Sequence, residues 1–155
     1  MTAAPRRTPL STRKTFSAKV EEVQRTWWII DADNKVLGKV AVAAANLLRG
    51  KNKSIFTTHC DTGDHVVVVN AAKVKLTGKK ETQKVYKSHS GYIGNQKIRT
   101  VQEVRAKHPE RIVEKAIFGM IPHTRLGRKV YTKLRVYAGT EHPHEANQPQ
   151  PVVLS

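Results

Sequence analysis

From Trp27 the run WWIID joins aromatic to β-branched residues and is closed by the turn-like Ala32-Asp33-Asn34-Lys35, a pattern that predicts a buried strand. Leu37, Val40, Ala41, Ala44, Leu47 and Leu48 then fall on one face of a helix, and Gly50 is placed to end it in the left-handed conformation. His65 to Asn70 (HVVVVN) is an unbroken β-branched run, as expected of a central strand covered on both faces. Strand, helix and strand in succession predict a βαβ unit with parallel strands and a right-handed crossover.

Further along, short strands around Val74 to Thr77 and Lys84 to Lys87 flank Gly78-Lys79-Lys80 and read as a hairpin. Residues 88–99, rich in glycine and polar side chains, read as a long exposed loop. Thr100-Val-Gln-Glu103 has the spacing of a capping box and should open a helix. After His108-Pro109, the positions Ile112, Val113, Ala116, Ile117 and Met120 mark the apolar face of another helix, ending near Gly119 and broken by Pro122. A short basic helix over 126–134 and a last strand over 135–138 complete the pattern. Three segments follow: a flexible basic arm over 1–14, a single α/β domain over 15–140, and an extended tail over 141–155. There are no internal repeats.

Charge changes the picture. The 155 residues carry 28 Lys and Arg against 12 Asp and Glu, a net +16. Residues 1–20 hold +5, residues 21–70 balance at zero, residues 71–140 hold +13 and residues 141–155 hold −2. A surface built only for solubility mixes signs; this segregation points to a cationic side and a nucleic-acid partner. A membrane partner would require a basic amphipathic helix with bulky apolar residues opposite, and none is evident. No apolar run approaches the roughly 20 residues that span a bilayer, and no secretory signal opens the chain, so a soluble cytoplasmic protein is expected. The acid-free, Arg- and Ser/Thr-rich leader resembles an organellar transit peptide but is short for one.

Candidate chemistry is sparse. His59-Cys60-Asp61-Thr-Gly-Asp64-His65 gathers a thiol, imidazoles and carboxylates, yet adjacent residues of an extended chain point to opposite faces, so Cys60 and His59 would not pair as nucleophile and base. The segment reads better as a turn entering the Val66 strand, its aspartates bonding local backbone N–H groups. One cysteine supplies neither a disulfide nor a multi-cysteine zinc site, and His142-Pro-His144 has no further ligand arranged around it. No phosphate-binding glycine motif follows a strand, and Gly91-Tyr-Ile-Gly94 matches the loop of KH modules only superficially. No catalytic residue, metal, cofactor or small-molecule substrate is expected. The stretch from Gly119 to Gly139 is the richest. Arg125, Arg128, Lys129, Lys133 and Arg135 occur in it without any acid, and Gly127 would let backbone approach RNA.

These motifs, in order, resemble one family, that of ribosomal protein thirteen of the bacterial-type large subunit. The resemblance runs from Lys14 to Pro151 through KTFSA, WWIIDA, LGKVA, THCDTGDHVVVVNA, HSGYIG, PERIVEKAIFGMIP, LGRK and KLRVYAGTEHPH. The GMIP, LGR and KLRVYAG blocks are the most specific. The arm before Lys14 is longer than in many members, and Phe118 stands where a basic or aliphatic residue is common. The resemblance implies a three-layer α/β/α fold around a mainly parallel four-stranded sheet, early incorporation into the large subunit, binding to 23S-type ribosomal RNA beside neighbouring ribosomal proteins, and no catalysis. The expected RNA-binding residues are Arg6, Arg7, Lys51, Lys53, Lys79, Lys80, Lys87, His89, Gly91, Lys97, His123, Arg125, Gly127, Arg128, Lys129, Lys133 and Arg135. A free RNA-binding regulator that represses translation of its own message would use the same surface.

Overall fold

A computed structural model describes residues 16–154. The arm, with Arg6 and Arg7, lies outside the described residues. The fold is α/β. Strand β1 (Trp27–Asp31) leads into helix α1 (Leu37–Arg49), which ends at Gly50 with φ 72°, and returns as β2 (His65–Val69) parallel to β1 in the register Trp27↔His65 to Asp31↔Val69. This is the βαβ unit expected from the pattern. Beyond it lie β5 (Leu134–Val136), parallel to β2, and β6 (Gln150–Pro151), parallel to β1, giving a four-stranded sheet in the order β5-β2-β1-β6.

Strand alternation divides the sheet into two faces. Ile30, Val66, Val68 and Leu134 join the core with α1, α4 (Glu110–Phe118) and α5 (Arg125–Tyr131). Both crossovers advance toward β5, which puts their helices on this one face, where α1 packs against α4. The other face carries Trp27, stacked on His65 with centroids 4.4 Å apart and lying 5.1 Å from the His144 ring. His144 belongs to the tail, which runs from β5 through a 3₁₀ turn at Glu145–Asn147 to the far edge of the sheet. The extended tail thus contributes the fourth strand.

The segment 74–100 departs from the expected pattern. Val74 is buried, and Lys75 forms only an isolated bridge with Val36 beside the β1–α1 turn. Residues Lys80–Gln83 form one helical turn, α2, so no hairpin joins 74–77 to 84–87. Instead β3 (Val85–His89) pairs antiparallel with β4 (Gln96–Thr100), which replaces most of the expected loop with a hairpin. Gly91 and Gly94, at φ 98° and 77°, lie in its turn, where a side chain would be strained. Thr100 then caps α3 (Val101–Lys107), its hydroxyl accepting from the Glu103 N–H at 3.3 Å. Met120 lies beyond the end of α4 and is exposed, and Ile121 is buried.

Candidate nucleic-acid interface

Helix α5 is the best-formed cationic element. The Thr124 hydroxyl accepts from the Gly127 N–H at 3.1 Å and starts the helix. Leu126, Gly127, Val130 and Tyr131 turn toward the protein, and Arg125, Arg128 and Lys129 are exposed. None of the three cations has a carboxylate partner among the described residues. An amphipathic helix normally mixes signs on its wet face; this one offers only positive charge.

A second basic region spans α2 and the hairpin. Lys79 and Lys80 are exposed beside Lys84, and the Lys84 and Lys115 ammonium groups sit 5.4 and 4.9 Å from the Tyr86 ring centroid. Along the hairpin, the pairings Lys87↔Ile98 and Ser88↔Lys97 place Lys87 and His89 on one face and Lys97 and Arg99 on the other. His89 Nδ1 accepts from the Gly91 N–H at 2.9 Å, so one of its ring nitrogens helps to hold the turn. His123 lies against Phe118, with centroids 4.8 Å apart, and Lys51 is exposed just after α1.

Three expected contacts are corrected. Lys133 is buried, at 7% exposure; its ammonium forms an ion pair with Asp61 and donates to the Leu48 carbonyl at 3.4 Å. Lys53 is paired with Asp64 and donates to the Gln24 carbonyl at 2.8 Å. Gly127 is buried, and a Cβ there would stand 1.8 Å from the Pro122 carbonyl oxygen, so the glycine permits close packing of α5 on its own N-terminal loop rather than approach of RNA. Arg135 is exposed but separated from the α5 stripe. Alternation puts it on the face opposite Leu134, and its guanidinium donates to the Thr132 and Leu134 carbonyls at 2.8 and 3.1 Å.

The turn His59–His65 is therefore a structural joint. Asp64 accepts from the Thr26 N–H and the Trp28 indole, both at 3.0 Å. Burial pushes its carboxyl upward, but the bonds from Lys53, Thr26 and Trp28 outweigh this and hold it below the ordinary carboxylate value. Burial lowers the Lys133 ammonium, and Asp61 only partly offsets the effect. Arg25 completes the group, 3.7 Å from Asp61. The Cys60 thiol donates to the Ala18 carbonyl at 3.1 Å, and the Ser17 hydroxyl lies 3.1 Å from His59 Nε2, so Cys60 and His59 have different partners. No cluster of three or more metal-ligating side chains occurs among the described residues.

Missing from the expected set were Arg99, Lys107 and Arg111. They are exposed and line one groove, a convergence that depends on the hairpin packing beside α3 and α4. Lys107 and Arg111 stand on either side of the His108-Pro109 break between α3 and α4, so no helical spacing in the sequence groups them.

A family model described as ribosomal protein L13 matches residues 25–143. The chain belongs to that family. It is 60% identical over 141 residues to the large ribosomal subunit protein uL13 of Akkermansia muciniphila, covering 91% of this chain and 99% of that protein. The protein of that name from Methylacidiphilum infernorum is 58% identical with the same coverage, and that from Halorhodospira halophila 55%. The motif-based resemblance is thereby established, and the L13 family is structural rather than enzymatic. No described helix is long and apolar enough to cross a membrane.

Proposed function

We propose that this protein is a structural constituent of the large ribosomal subunit that docks on 23S-type ribosomal RNA during early assembly. The observation that carries the reading is the exposed stripe of Arg125, Arg128 and Lys129 on α5, free of carboxylate partners among the described residues. Lys79, Lys80, Lys87, His89, Lys97, Lys51 and His123 extend the contact around α2, the hairpin, the end of α1 and the loop before α5. Arginine forks engage phosphate oxygens in pairs, while lysines act as point charges. The buried ion pairs at Asp61 and Asp64 hold the scaffold that presents them. The names of the relatives support large-subunit membership, and neighbouring subunit proteins are the expected protein partners. Such binding reads shape and backbone more than base edges.

Equilibrium binding of the full chain to large-subunit RNA across a salt series tests the reading. With about six phosphates neutralised on irregular RNA, log K should fall against log salt with a slope of roughly −4. A flat dependence overturns it.

A further inference from the structure

Between the hairpin and helices α3, α4 and α5 lies an open groove of about 410 Å³, within the range of sites that hold small organic groups. Tyr86, Phe118 and Tyr131 are aromatic walls, with Phe118 and Tyr131 meeting edge to face at 5.1 Å. Phe118 is nevertheless 37% exposed at the end of α4. Arg99, Lys107 and Arg111 supply exposed cations, and none has a carboxylate partner among the described residues. The Tyr86 hydroxyl is buried with no hydrogen-bond partner there, which is costly unless an occupant supplies one. Burial raises the Tyr86 and Tyr131 hydroxyls above their ordinary value.

Aromatic faces beside unpaired arginines match a single unstacked nucleotide, whose base stacks while its flanking phosphates meet the cations. We propose that this groove receives one unstacked nucleotide of the bound RNA, its base against Phe118 and its phosphates on Arg99, Lys107 and Arg111. The assignment rests on the RNA-docking reading and adds a site to it. Glu103 and Glu114 also line the groove, and as acceptors they favour a base that presents an amino group.

The test compares the full chain with Phe118→Ala, Phe118→Trp and Arg111→Gln in binding to large-subunit RNA across salt. Stacking is not ionic. Phe118→Ala should therefore lose about 5- to 150-fold in affinity with an unchanged salt slope, and Phe118→Trp should keep wild-type affinity. Arg111→Gln should lower the magnitude of the slope by about 0.7. A folded Phe118→Ala protein that binds like wild type overturns the groove assignment while leaving the α5 surface intact, provided the wild-type slope stays near the expected roughly −4. A flat wild-type slope overturns both. Replacing Phe118 with photoreactive p-benzoylphenylalanine in assembled subunits gives an independent readout should the alanine variant fail to fold. An RNA adduct supports the proposal; an adduct only to a neighbouring protein, or none, overturns it.

Discussion

Lys133 shows how a residue type misleads when its neighbours in space are unknown. It stands in an acid-free basic run, and nothing local marks it as different from Arg128 or Lys129. Its carboxylate partner, Asp61, lies 72 positions earlier and meets it only once β5 lies beside β2. Removing one partner of a buried pair strands the other charge, which costs about 3–5 kcal/mol, more than the pair itself contributes. Lys133→Met should accordingly lower folding stability by about that amount. In RNA titrations with folded protein its salt slope should match wild type, whereas a contact with phosphate would reduce it. Asp61 was legible as a turn residue because it does accept locally, from the Gly63 N–H at 3.4 Å, whereas the Asp64 carboxylate bonds the distant Thr26, Trp28 and Lys53 instead. Their longer-range partners were not.

At the scale of elements, legibility followed burial. α1 and α4 bury apolar side chains at the helical period, and β1 and β2 are short unbroken apolar runs; the sequence shows both directly. β4 shows neither: QKIRT has one large apolar residue, Ile98, which is itself exposed, so only pairing with β3 defines the strand. The tail was equally hidden, because β6 is only two residues long and its hold is made with residues distant in sequence: the Val152 N–H donates to the Ile29 carbonyl at 2.9 Å, Val152 and Leu154 pack against the core, and His144 lies against Trp27. Trp27 stacks on His65, and the Tyr137 hydroxyl lies 2.9 Å from His144 Nε2. Burial lowers the His65 pKa, aided by Lys133 and Arg25 and opposed by Asp61 and Asp64; burial also lowers that of His144, aided by Arg135 and His142. A histidine whose folded pKa is depressed binds fewer protons in the folded state. Its contribution is complete above the unfolded pKa of about 6.5 and is lost as pH falls through that value toward the folded one. Thermal unfolding should therefore shift to lower temperature between about pH 7.5 and 5. His65→Phe, which keeps the stacking surface and removes the titration, should flatten that shift; an unchanged pH profile would exclude His65 as its source.

Over the whole molecule, the net +16 does not count the charge offered to a partner. Asp61 and Asp64, from the neutral stretch 21–70, engage Lys133 and Lys53, and Arg105 bonds the Val74 carbonyl and Glu81. One carboxylate of the neutral stretch, Asp61, thus withdraws a cation of the basic half, Lys133, while Glu81 engages Arg105 within that half. Among the cations with no carboxylate partner in the described residues, Arg125, Arg128 and Lys129 stand together on α5, which the core fixes through Val130. If this placement sets RNA affinity, charges should be unequal in effect although equal in sign. Changing Arg125, Arg128 and Lys129 together to Gln should reduce the magnitude of the salt slope by about 2, at roughly 0.7 per phosphate contact, and leave thermal stability near wild type because all three are exposed. Lys35→Gln, in the exposed turn between β1 and α1, should leave the slope where it was. Equal effects per charge at both places would mean that the protein binds RNA by net charge alone, and that the placement of α5 has no part in docking.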